Sequence, residues 1–74
     1  GVGMVVWTLK ARFSGEEDQV SVYSSEKGAA TAMFEFFSDA YAEYNNQQVE
    51  DKFEDWLFQN DIGYFDISSH VVGE

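Results

Sequence analysis

The chain has no cysteine and no proline, one histidine and only four basic residues. Without cysteine there is no disulfide or thiolate site, and a lone His completes no zinc constellation, so stability must come from packed side chains or from a partner. With only Lys10, Arg12, Lys27 and Lys52 to neutralise phosphates, direct nucleic-acid binding has the wrong charge balance. No run of about 18 apolar residues is present to span a bilayer. No basic-then-apolar leader precedes Met4, so no membrane association and a cytoplasmic location are expected.

What the chain does contain is 74 residues, 18% aromatic, with a net charge of −10. That length suits one domain. Each ring can bury roughly 150–250 Å², so the apolar material for a core is present. High charge with few aromatics is the mark of disorder, and here the rings are abundant. Gly1-Val2-Gly3 ahead of Met4 reads as a cloning remnant outside the fold, leaving residues 4–74 as a single α+β domain.

From Met4 to Phe13 the residues alternate, with Trp7, Leu9, Ala11 and Phe13 on one face and Thr8, Lys10 and Arg12 on the other, as in a half-buried strand. Ser14-Gly15-Glu16-Glu17-Asp18 is a polar turn, and Val20 and Val22 resume the alternation up to Tyr23, which gives an antiparallel hairpin. Ser24 or Ser25 can cap a helix whose first turn holds Glu26. Its buried stripe is Ala29, Met33, Phe36, Ala40 and Tyr44, and it runs about six turns to Asn45-Asn46. Ala30, Phe34, Phe37 and Tyr41 form a second apolar row, widening the arc to about 200°, more than one sheet covers. Val49, Phe53, Trp56 and Leu57 supply a second helix, ended by Asp61-Ile62-Gly63, and a helix hairpin results.

The last segment alternates Phe65, Ile67 and Val71 with Tyr64, Asp66, Ser68 and His70, a third strand. The expected fold is ββααβ, a three-stranded sheet in the order 2-1-3 packed on one face by an acidic helical hairpin. A hairpin that returns the chain to the end it left makes the third strand parallel to the first. There is no internal repeat or low-complexity tract, and the motifs carry no family resemblance.

No catalytic residues, cofactor or metal site are expected. His70 lies on the polar side of the last strand, where an ordinary solvated histidine is the economical reading, and no nucleophile is placed beside a base. Gly1-Val2-Gly3 follows no strand and opens no helix, so it is no phosphate cradle. The acids lack the spacing of a calcium loop, and weak divalent binding by Glu50, Asp51, Glu54 and Asp55 is the most they suggest.

The charge is uneven. Residues 24–61 hold nine acids and two lysines, a net −7, against −1 before and −2 after. Glu35, Asp39 and Glu43 step by four along the first helix, and Glu50 and Glu54 run beside Asp51 and Asp55 on the second; like charges so spaced repel by a few tenths of a kcal/mol per pair, which a basic partner would relieve. Nine acids over about 30 Å of helix give one charge per ~3–4 Å, roughly half the density of duplex DNA. Phe58 projects away from Val49 among these acids, as an interface anchor would; the bland alternative folds it back into the core. The expected partner surface is therefore Glu35, Asp39, Glu43, Glu50, Asp51, Glu54, Asp55 and Phe58. On this reading the chain is a non-enzymatic decoy for a basic nucleic-acid-binding protein, an analogy of charge and size with small anti-restriction and anti-CRISPR proteins of phages. The alternative is an accessory protein that self-assembles, or binds a partner, through apolar aromatic surface on the outer sheet face or the excess helical arc. The plain reading of the acids is a solubilising, self-repelling surface.

Overall fold

The computed structural model describes residues 3–73, so Gly1 and Val2 of the expected remnant lie outside the described residues. Three strands and three helices follow in the order β1 (Met4–Phe13), β2 (Gln19–Tyr23), α1 (Glu26–Phe36), α2 (Ser38–Gln47), α3 (Phe53–Gln59) and β3 (Gly63–Val72). The sheet order is β2-β1-β3, with the long apolar strand in the centre as its alternation implied.

Both neighbours of β1 run antiparallel to it. This corrects the expected direction of β3, and the reason lies in the helices. The six-turn helix expected from Ser25 onward is broken at Phe37, whose φ of −107° and ψ of 34° leave the helical region. Ser25 caps α1 by accepting from the Gly28 amide at 3.0 Å, and α1 starts near Tyr23, which pairs with Trp7. At 1.5 Å per residue a straight helix over residues 26–47 would be about 33 Å long, while the sheet from Trp7 to Phe13 extends only about 20 Å. It would overrun the sheet and leave Ala40, Tyr41 and Tyr44 in water. With the break, α1 ends over Phe13, with Phe36 and Phe37 centred 4.7 and 5.2 Å from that ring. The α2–α3 hairpin then leaves and returns at this far end, where Ser14 N–H donates to Ile62 O. Three helices instead of two deliver the chain to the opposite end, so β3 runs back along β1.

The second helix is shorter than its pattern suggested. Val49, Glu50 and Asp51 lie in the connection, and α3 begins at Phe53. Gln48 takes a left-handed conformation (φ 52°) as the chain turns out of α2.

The core between sheet and helices is Leu9, Ala11, Ala29, Met33, Phe37, Phe53, Trp56 and Leu57, and no polar side chain is buried among the described residues. On the inner face, neighbouring strand positions pair a large residue with a small one: Phe13 with Gly63, and Ala11 with Phe65. The fully buried Phe37 ring fills the hollow over Gly63. Val20 and Val22 face outward instead, because the Trp7–Tyr23 register puts Gln19, Ser21 and Tyr23 on the helix side. Val71 shares the inner face but is exposed, since the helices stop short of that end of the ribbon.

A Cβ at Gly63 would stand 2.5 Å from Arg12 O and 2.7 Å from Phe37 Cε1. Gly63→Ala therefore must displace backbone or the buried ring, a cost of about 1–3 kcal/mol by urea unfolding. Gly73→Ala, with open space around it, should leave the midpoint unchanged.

Candidate functional site

All nine carboxylates of residues 24–61 are exposed, so each residue of the expected partner surface faces solvent. Their arrangement differs from one helical row. Glu35 closes α1, Asp39 and Glu43 lie on α2 beyond the break, Glu50 and Asp51 lie in the connection, and only Glu54 and Asp55 stand on α3. The four-residue repulsion inferred for the Glu50–Glu54 and Asp51–Asp55 pairs therefore does not apply, because two of the four acids are not helical. The same holds for the charge density reckoned along a single 30 Å axis: the acids are shared among three short helices and a loop.

The segment carrying Glu50 to Asp55 is nonetheless fixed. Tyr44 Oη–H donates to Asp51 O. The Trp56 indole N–H donates to Gln47 Oε1 at 3.2 Å, and Gln47 Nε2–H donates to Glu43 Oε1 at 3.3 Å. Behind these bonds Tyr44 packs edge to face on Phe53 and Trp56, 5.2 and 5.4 Å away, and those two rings stack on each other at 6.1 Å. Aromatic packing of this kind adds to area burial and holds α3 against α2. Acids on α2 and around α3 thus ride on one packed unit. Glu54 and Asp55 also occupy the first turn of α3, where exposed helix amides favour negative charge.

Phe58 is 75% exposed, which decides between the two positions considered for it. It projects outward and lines a shallow cleft of about 370 Å³ together with Arg12, Ser14, Gly15, Glu16, Asp61 and Gly63. This cleft is absent from the sequence reading. It forms because Phe13 pairs with Gly63, which brings the β1–β2 turn against the α3–β3 turn; Ser14 Oγ–H then donates to Asp61 Oδ1 at 2.6 Å. The two polar, glycine-bearing turns were visible in the chain, but their meeting depends on the antiparallel return of β3. Arg12 is already engaged, 3.3 Å from Asp18 and 5.4 Å from the centre of the Tyr64 ring.

His70 is exposed on the outer face, with Nε2 3.0 Å from Thr8 Oγ1. No three potential metal-ligating side chains converge among the described residues, and no helix described is long and apolar enough to cross a membrane. Comparison with protein-family models, curated proteins and solved structures finds no match to this chain.

Because Phe58 contributes little to the core, Phe58→Ala should change unfolding free energy by no more than about 0.5 kcal/mol. Trp56→Ala, two positions away and buried, should cost about 3–5 kcal/mol. Equal losses in a chemical melt would show that Phe58 packs.

Proposed function

We propose that this chain is a non-enzymatic binding module whose acidic helical layer docks into the nucleic-acid groove of a basic protein, as an inhibitor or decoy. The observation that supports this most is the exposure of all nine carboxylates of residues 24–61, together with an outward-facing Phe58 that shares a cleft with Glu16 and Asp61. A large aromatic left in water beside fixed carboxylates has the composition of an interface: an apolar anchor surrounded by charges that steer and align.

Two further features support the reading. The bonds from Tyr44 and Trp56 hold Glu43 and the 50–55 segment together before any partner arrives, which lowers the ordering cost of binding. The helical side carries the larger net charge: residues 24–61 sum to −7, while on the outer sheet face Lys10 stands opposite Asp66 and Arg12 pairs with Asp18. That polarity turns the acidic side toward a positive groove during approach.

The test is capture of basic nucleic-acid-binding proteins by the immobilised chain, followed by elution with salt and with competing duplex DNA or RNA. Binding should be lost by about 0.5 M salt, where exposed charges are screened within a few ångströms, and excess nucleic acid should displace the captured protein. Reversal of Glu50, Asp51, Glu54 and Asp55 to Lys should abolish capture while leaving the circular dichroism spectrum intact. Complexes indifferent to salt and to nucleic acid would sink the proposal.

A further inference from the structure

The two edges of the sheet differ. β2 offers only five residues, and shortness blunts an edge. β3 offers ten, paired with β1 without interruption from Gly63 opposite Phe13 to Val72 opposite Met4. Its other side is an open row of backbone donors and acceptors. Natural edges are commonly protected by Lys, Pro or a bulge, and β3 (GYFDISSHVV) has none of these and a single carboxylate, Asp66. Val71 and Val72 at its end are 76% and 52% exposed.

We propose that the β3 edge is a self-association surface, occupied by β3 of a second copy of this chain in antiparallel pairing about a two-fold axis at Ser68. Charge identifies the occupant. In a chain of net charge −10 most surfaces repel a second copy, whereas residues 64–72 contain one carboxylate, Asp66, and one imidazole, His70. An antiparallel two-fold pairing keeps inner-face residues opposite inner-face residues, so only a few registers exist. Centring on Ser68 places Asp66 opposite the second copy's His70, Phe65 opposite its Val71 and Tyr64 opposite its Val72. The two exposed valines thereby gain aromatic neighbours, a favourable cross-strand combination, and the one carboxylate meets an imidazole. Asp66 Oδ2 accepts from Ser68 Oγ at 2.6 Å, which leaves Oδ1 for a second contact, and His70, whose Nε2 lies 3.0 Å from Thr8 Oγ1 on β1, turns its ring toward the free edge on pairing. Joining two copies makes a six-stranded sheet whose helices share one face.

Sedimentation equilibrium of the 74-residue chain over a concentration series tests this. The expected result is a monomer–dimer equilibrium in the range of tens of micromolar, on the order expected for a small interface. His70→Asp sets carboxylate against carboxylate twice per dimer and should weaken association about tenfold or more. The exchanged pair, Asp66→His with His70→Asp, should restore it to within about threefold, which only this register predicts. Val71→Lys, at an already exposed position, should also give a monomer with an unchanged unfolding midpoint. A chain that stays monomeric up to about 0.5 mM overturns the proposal. So does a dimer that His70→Asp leaves intact, or folded swap variants that fail to reassociate.

Discussion

The Phe37 ring over Gly63 is the contact on which the architecture turns. Phe37 breaks the helical run, so that α1 ends where the sheet ends and α2 sets off in a new direction. Its ring needs a floor without a side chain, and Gly63, the first residue of β3, supplies one. The same contact fixes where β3 starts, level with Phe13 at the end of β1. A bulky aromatic at one point and a missing Cβ at another therefore settle the helix count, the return path and the direction of the last strand together. Around this contact the remaining rings close in, with Phe13, Phe53 and Phe65 centred 5.2, 6.2 and 6.2 Å from Phe37.

Much of this was legible in the chain. The alternation of Met4 to Phe13 marks β1 with its buried side and the β2-β1-β3 order follows from its apolar character, while the helical spacing leaves Phe58 open between exposure and a fold back into the core. Strand direction was not legible, because periodicity is local and says nothing about where a helix meets the edge of a sheet. Ala29 to Tyr44 keep helical spacing straight through the break, and a break that preserves Phe37 N–H to Met33 O and Tyr41 N–H to Phe37 O leaves little trace in the pattern. The pattern carries Glu50 and Asp51 into a helix for the same reason: Val49 is in phase with Phe53, although the chain between them is a connection. The cleft beside Phe58 was out of reach, since it depends on two turns meeting through the unforeseen direction of β3.

Burial sorts the side chains in one direction only, since large apolar groups such as Val20, Val22, Phe58 and Val71 also stand in water. The buried set is entirely apolar among the described residues, and the charged side chains described are exposed. Such a core supplies adhesion without polar contacts that need partners inside it. Among the described carboxylates, those with a side-chain hydrogen bond are Asp18 beside Arg12, Glu43 on Gln47, Asp61 at the turn and Asp66 on Ser68. The placement of the others around the helical layer is a property of the surface alone, and can change without disturbing what holds the domain together.

The pairing of β1 with β3 also has a temporal side. Their partners lie from 50 residues apart in the chain (Phe13 with Gly63) to 68 (Met4 with Val72). During synthesis the central strand emerges long before its longer neighbour exists, and the Gly63 floor for Phe37 arrives in the last stretch of the domain. Until then β1 has only the short β2 beside it, and a two-stranded ribbon is marginal in water. Pairings of such separation carry a large loop-closure cost before they are rewarded, which slows folding. The order of events on the ribosome is therefore set by topology: helices can form and fray as they appear, but the domain closes as one unit only when its final strand is released.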